Sequence, residues 1–441
     1  MYKNVEKYKK QLKKYRGYRY NNNVRYIKKI IYKKEKVAHM KVILNVIGII
    51  VLLGALYMFS SDKKRIDFKM IGKALVLQFI LAFLLVKFPL GKVLIEKVSD
   101  IVTNILSYGR EGLDFVFGSL SDGGAPTGFI FGIQTLGNII FISALVAALY
   151  YLGVIGAVVK FIGGIVGKIL GTSKVESFVA VANMFLGQTE SPILVSKYLK
   201  GMTESEIMLV LISGMGSMSA TVLLGYAGMG IPMQYLLIGG ALVPLGSIVV
   251  SKLILPENNE LKTSEIADVK IDNKGDNANL ISAISQGAQD GLNMALGIGA
   301  SLIAIVSIVA LVNGGLSIVG LSLEKILSFI FAPIGYLMGL DMNGANLAGQ
   351  LLGSKLVLNE FVAFGQLGEV IKTLDPRTAL ILSISLCGFA NISSMGICIS
   401  GISVFCPEKR DQLSKLAFRG MIGGFVVSLL SALVVGLILA F

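Results

Sequence analysis

The sequence predicts an all-α polytopic membrane protein, with about eight transmembrane helices, two re-entrant helical hairpins and interfacial helices, arranged as an inverted repeat. Three observations carry this. Of the 441 residues 54% are hydrophobic and only 15% are charged, against about 25% charged in an ordinary soluble domain, and the mean hydropathy is +0.74. Apolar runs long enough to cross a bilayer, about 20 residues each, recur along the chain. Two further apolar stretches carry strongly polar residues in their middle, where a simple span has none.

The elements follow in order. Residues 1–39 form a basic leader with 14 Lys and Arg against Glu6 and Glu35, a balance of +12; it holds seven of the fifteen tyrosines and the lone histidine, His39. It has no apolar signal core and reads as a disordered tail or a start assigned too early, since Met40 opens the span-like "MKVILNVIGIIVLLGALYMF". Residues 40–120 read as N-terminal scaffold helices, with spans near 42–59 and 71–89 and an amphipathic interfacial segment at 92–118. Residues 121–255 form a first repeat, with spans at 127–152, 204–228 and 232–254 around a hairpin at 172–201. Polar residues 256–280 read as a cytoplasmic loop. Residues 281–441 form a second repeat, with spans at 293–313, 377–402 and 418–441, an interfacial segment at 317–339 and a hairpin at 342–372.

Positive charge sets the orientation. The basic connection "SSDKKRIDFK" (60–69), the cluster Lys160, Lys168, Lys174, Lys197 and Lys200, the group Lys252, Lys262, Lys270 and Lys274, and Lys409, Arg410, Lys415 and Arg419 all fall on one side, the cytoplasmic one. Both ends of the body then lie outside, so the same rule disfavours a translocated +12 leader. Beyond residue 39 the chain is nearly neutral, 27 basic against 25 acidic residues, so the high pI does not point to nucleic acid; the implied partner is the bilayer of the cell membrane. Cys387, Cys398 and Cys406 show no metal-ligand spacing and read as small buried side chains. With one histidine, no nucleophile–base pair and no metal cluster, an enzyme is not expected.

Weak echoes relate the halves. "REGLDFVFGSL" (110–120) is followed by "QDGLNMALGIG" (289–299), and "FIGGIVGKILG" (161–171) by "IFAPIGYLMGL" (330–340). Each half then runs into a polar-tipped hairpin and, later, a span with polar residues at mid-depth: Glu190 then Ser217, Ser219 and Thr221; Glu360 then Asn391, Ser393 and Ser394. Interrupted segments at matching places in two halves are the best sequence pointer to a transporter's central site.

The polar islands need partners, because an ionisable group in hydrocarbon costs about 2.5–3.5 kcal/mol even on the lenient scale. Gly187 and Pro192 bracket the first tip and let a helix stop there, exposing N–H and C=O ends. Gln188 and Thr189 offer donors and acceptors suited to a neutral heteroaromatic edge. An ionised Glu360 accepts bonds from two adjacent hydroxyls, as on a ribose. Asn391 and Ser394 stand one turn apart and face one cavity, and Phe389 can cover a ring face. Near the tips the nearest cation is Lys355, five residues before Glu360, which argues against a phosphorylated substrate.

"ANMFLGQTESP" (182–192), "TESEIMLVLISGMGSMSATVLLGYAGMG" (203–230), "KLVLNEFVAF" (355–364) and "CGFANISSMGI" (387–397) together resemble the concentrative nucleoside transporters, over essentially residues 41–441. The resemblance implies a homotrimer whose protomers each import a nucleoside by cation symport, through a site of their own between two hairpins and two unwound helices. It implies that Gln188, Thr189 and Glu190 read the nucleobase with Val222 beside it, and that Glu360, Asn391 and Ser394 hold the ribose with Phe389 against the ligand. It places the coupling ion at Asn183, Leu186, Ser217 and Met218, largely through main-chain carbonyls. "NMFLGQTESP" resembles the sodium-coupled members more than the proton-coupled permeases, so Na+ is the expected ion; protonation of Glu190 or Glu360 is the competing route. No cofactor is expected.

Overall fold

In a computed structural model the described residues are 20–188, 190–258 and 277–441, together with Thr263, Val269, Asn273 and Lys274. Every regular element among them is helical. The N-terminal part contains α1 (Tyr20–Met58), α2 (Phe68–Val86) and α3 (Pro89–Phe117). A π-helical turn at Gly132–Leu136 leads into α4 (Gly137–Tyr151), followed by α5 (Val154–Leu170). The first hairpin is α6 (Lys174–Ala182), an irregular tip, and the short α7 (Ser191–Leu194) and α8 (Ser196–Leu199). Then come α9 (Glu204–Gly216), α10 (Ala220–Gly228), α11 (Met233–Ile254) and the long α12 (Leu280–Ser317). The order of the first half returns as α13 (Leu323–Leu337), the hairpin α14 (Met342–Val357) and α15 (Glu360–Val370), the pair α16 (Pro376–Leu386) and α17 (Ile392–Phe405), and α18 (Arg410–Ala440).

Among the described residues seven stretches are long and apolar enough to span a membrane: 36–58, 68–86, 132–151, 204–228, 233–254, 280–317 and 407–440. The remaining expected span, 377–402, is two shorter apolar helices separated at 387–391. The span at 204–228 is broken in the same way at 217–219. Three stretches, 204–228, 233–254 and 407–440, are 83% buried over their most apolar windows and pack together as a core. In the 280–317 helix only 6% of that window is buried, so its apolar surface faces outward, as a lipid-facing helix does. The interfacial segment expected at 92–118 is α3, whose apolar face stays open at Phe115 and Val116. The first half also has α5, an amphipathic helix between spans that occupies the place α13 has in the second.

The leader differs from expectation. Residues 20–39 are helical and continue without a break into the first span; the expected disorder of 1–39 is therefore not seen over that half, and residues 1–19 lie outside the described residues. A run with few prolines or glycines and many Lys, Arg and Tyr extends a helix already nucleated by the apolar segment after it. Most of the 256–280 loop is likewise outside the described residues.

Helix starts obey local capping chemistry. Ser173 and Glu176 form a capping box at the first hairpin, and Thr203 and Glu206 repeat it at α9. Asn359 caps α15 and Asn391 caps α17, each accepting an otherwise unpaired N–H. One end of the molecule collects the connections 59–68, 169–174 and 254–258: Ser61 bonds Ile254 O, Lys73 reaches Ile169 O, and Arg419 reaches Phe59 O and Ile254 O. These are the basic connections assigned to the cytoplasm. A buried cluster ties this end together, with Lys252 donating to Glu176 and to Ser205 Oγ (2.9 Å), and Glu206 accepting from Ser173 and Thr263. The opposite end gathers Lys87, Gly339, Arg377 and Gly436.

Candidate functional site

The site forms where two broken helices cross between two hairpin tips. At the first break Gly216 ends α9, Ser217 and Ser219 run extended, and α10 restarts. At the second, α16 stops at Leu386, Gly388 takes φ +105°, and α17 restarts at Ile392. The breaks touch: the Phe389 N–H donates to Ser217 O at 3.1 Å. A Cβ on Gly388 would lie 2.7 Å from Gly216 O. Glycine is required there by both its φ and the close approach.

The first tip closes on itself and on the first break. Glu190 Oε2 accepts from the Gly187 N–H at 3.0 Å. Ala220 N donates to Phe185 O at 3.0 Å, and Gln188 packs on Gly214, where a Cβ would come within 3.2 Å of it. Below the tip, Asn183 Nδ2 donates to Val179 O and Ser213 Oγ while its Oδ1 accepts from Ser191 Oγ at 2.8 Å. That gives both ends of a fully buried amide a partner and ties the turn to α6 and α9.

The second tip places Glu360 at the start of α15, inside the protein. Its two carboxylate oxygens face two donors: Tyr226 Oη at 3.3 Å and Asn391 Nδ2 at 3.0 Å. Donors on both oxygens suit an ionised, acceptor-only carboxylate. Asn391 in turn accepts through Oδ1 from Ser393 Oγ (2.7 Å) and from the Ser394 N–H (3.0 Å). Tyr226 is buried with its ring stacked on Phe364, centroids 4.3 Å apart, and tilted against Phe361 at 4.8 Å.

Between the tips lies a cavity of about 440 Å³, within the usual range for small-molecule sites. Gly187, Gln188, Glu190 and Val222 line it from the first hairpin and first break; Glu360, Phe389, Asn391 and Ser394 line it from the second hairpin and second break; Met294, Ile298 and Ser301 of α12 line it as well. No lining residue is Lys or Arg, which leaves a bound anion without a counter-charge. Of the eight residues expected around a ligand, seven line this one cavity; Thr189 lies outside the described residues. Asn183, Leu186, Ser217 and Met218 are all buried behind the first tip and first break rather than on the cavity wall.

Sequence reasoning missed several participants. Gln188 Nε2 reaches Ser394 Oγ at 3.5 Å, and its Oε1 accepts from Cys398 Sγ at 3.3 Å, so a cysteine read as filler holds the tip glutamine. Nothing in the sequence around Tyr226 marks it as a partner of Glu360. Asn359 is readable as an N-cap just before the tip glutamate, from the signal in "LNEF". Met294 and Ser301 sit on a helix whose pattern marks only a span.

The chain matches known protein families over most of its length. The family descriptions "Na+ dependent nucleoside transporter N-terminus", "Nucleoside recognition" and "Na+ dependent nucleoside transporter C-terminus" match residues 47–120, 132–233 and 235–436. The chain is 37% identical to the nucleoside permease NupC of Helicobacter pylori, covering 89% of this chain and 97% of that one. It is 36% identical to the putative nucleoside permease NupX of Escherichia coli, covering 90% and 99%. Among solved structures, CNTnw in an inward-facing substrate-bound state aligns with TM-score 0.86 at 34% identity, over 91% of this chain and 99% of that one. A variant of CNTnw in an outward-facing state aligns with the same TM-score. This chain is therefore a multi-pass membrane protein of the concentrative nucleoside transporter family.

Proposed function

We propose that this protein is a secondary active symporter that imports nucleosides across the cell membrane, driven by an inward sodium gradient. The observation that carries the reading is the cavity between the two tips, lined on one side by Gln188 and Glu190 and on the other by Glu360, Asn391 and Ser394. An amide and an acceptor on the first side suit the edge of a nucleobase. On the second, Glu360 takes the adjacent ribose hydroxyls while Asn391 and Tyr226 hold it in place. Val222 and Phe389 pack on the apolar faces of the ligand, and Thr189 joins the base-reading tip.

Sodium would be held behind the first tip by Asn183, Leu186, Ser217 and Met218. These offer carbonyl and hydroxyl oxygens at the end of a half-helix, where the macrodipole favours a cation. An ion there orders the first tip and raises nucleoside affinity, which couples the two gradients. The cargo is transported unchanged. The working unit is a homotrimer, each protomer with its own site; exposed apolar residues along α3 and α12, such as Phe115 and Ile303, give neighbouring copies a surface to pack on. Native mass spectrometry then reads three 47.1-kDa chains.

The test is uptake of labelled uridine and adenosine into proteoliposomes, with sodium and proton gradients imposed separately. Accumulation driven by sodium alone supports the reading. Accumulation driven by protons alone moves coupling to the carboxylates Glu190 or Glu360. Binding without gradient-driven accumulation rejects symport.

A further inference from the structure

Lys355 lies on α14, five residues before the tip glutamate Glu360, and its side chain is fully buried. Its Nζ donates to three oxygens: Cys387 O at 2.8 Å, Ser428 Oγ at 2.8 Å and Ser385 O at 3.1 Å. It also stands 5.4 Å from the centre of the Phe425 ring. An ammonium has three donors and a neutral amine two, so three acceptors match the charged form. Two of the acceptors are main-chain carbonyls at the C-terminal end of α16, the negative end of a helix dipole. The aromatic face adds a further attraction for a cation.

The position gives this cation a purpose. The second hairpin grips both lips of the second break: Lys355 holds the carbonyls at 385 and 387, and Glu360 holds Asn391, the cap of α17. Between those two grips lie Gly388 and Phe389, and Phe389 faces the cavity. The first hairpin lacks this device. Counting back five residues from Glu190 gives Phe185, and residues 175–196 contain no Lys or Arg. Its break is held through Phe185 O, accepting from Ala220 N, and Ser217 O, accepting from Phe389 N.

We propose that Lys355 is a positioning residue: a tethered cation that keeps the second break open and so presets Phe389, Asn391 and Glu360 for the sugar. The two halves of the site are then unlike, one ordered by a free ion and one by an ion built into the chain. This inference rests on Glu360 and Asn391 reading the ribose hydroxyls.

The experiment measures the affinities of uridine and 2′,3′-dideoxyuridine for the purified full chain, by calorimetry, in wild type, Glu360→Gln, Lys355→Met and Ser428→Ala. Lys355→Met keeps length and apolar bulk and removes the charge. It should weaken uridine by about tenfold or more, the scale of a lost charge-assisted hydrogen bond, and bring the uridine to dideoxyuridine ratio toward one. A purely structural lysine would lower both affinities alike and leave the ratio unchanged, which overturns the proposal. If Glu360→Gln also leaves the ratio unchanged, the ribose reading falls and this inference falls with it. If Glu360→Gln collapses the ratio and Lys355→Met does not, only the role of Lys355 is lost. Should Lys355→Met fail to fold, Ser428→Ala decides: it keeps the charge and removes one acceptor, and the ratio should drop severalfold. No change there refutes the proposal.

Discussion

Replacing Tyr226 by Phe tests the second tip with the smallest possible change. The substitution deletes one hydroxyl, the donor to Glu360 Oε1 at 3.3 Å, and leaves the ring stacked on Phe364 at 4.3 Å and against Phe361 at 4.8 Å. A hydrogen bond to a charged acceptor contributes about 1.5–3 kcal/mol. At 3.3 Å this one is longer than the usual O–H···O range, which favours the lower end, about 1.5 kcal/mol. If the hydroxyl aims Glu360 at the sugar, that energy appears in binding, and each 1.4 kcal/mol is a factor of ten in Kd. Tyr226→Phe should therefore weaken uridine roughly tenfold while thermal stability moves little, because the ring contacts persist. The chain has no tryptophan, so calorimetry or a scintillation assay replaces intrinsic fluorescence. A Kd within about twofold of wild type, well under 1 kcal/mol, would refute the idea that the hydroxyl orients Glu360 in the loaded site.

Three further predictions address the scaffold. Gly388→Ala puts a methyl 2.7 Å from Gly216 O at a φ of +105°; the strained backbone alone costs about 1–2 kcal/mol, and separating the two breaks should abolish uridine binding before it abolishes folding, read by paired calorimetry and thermal unfolding. Lys252→Met removes the cation bonded to Glu176 and Ser205 and leaves a buried carboxylate uncompensated, a loss of about 3–5 kcal/mol that should show as a sharply lower unfolding temperature, whereas Lys200→Met, at an exposed pair with Glu408, should change it little. Asp375 caps α16: burial acts upward on its carboxyl, but hydrogen bonds from Thr378 and Arg377 outweigh that and hold its pKa below the usual 3.8. Its contribution is therefore complete above the unfolded value and fades as pH falls through the lower folded one. The stability gap between wild type and Asp375→Ala should be full at neutral pH and shrink below about pH 3.8; a gap independent of pH would contradict it.

What was legible in the sequence was the part written in hydropathy. Spans, hairpins and mid-depth polar residues follow from the rule that hydrocarbon tolerates polar groups only where something answers them, so Gln188, Glu190, Glu360 and Asn391 stand out in the sequence alone. An unwound helix is implied by the family resemblance, but the residues alone do not place its break at 387–391, because "LSISLCGFANISSMGI" keeps enough apolar residues to pass for a continuous span. Only the positive φ of Gly388 and the caps at Cys387 and Asn391 reveal two helices. Tyr226 and Cys398 were invisible for another reason. A tyrosine or cysteine in an apolar helix is usually packing, and its partner, Glu360 or Gln188, lies 134 or 210 residues away. Lys355 stands in the sequence as a charge near a tip, but two of its acceptors are main-chain carbonyls and the third is Ser428 Oγ, 73 residues away, which no sequence pattern displays. Residues 20–39 are helical, a feature that composition alone does not register because a neighbouring span propagates the helix into them.

The most direct test of the account is a structure of the protein determined with uridine bound. The account predicts the ligand in the cavity between residues 187–190 and 387–394, its sugar hydroxyls within hydrogen-bond reach of Glu360 and Asn391 and its base against Gln188 and Val222. Uridine seated elsewhere, or in this cavity with its sugar turned toward Gln188 and away from Glu360, would contradict it.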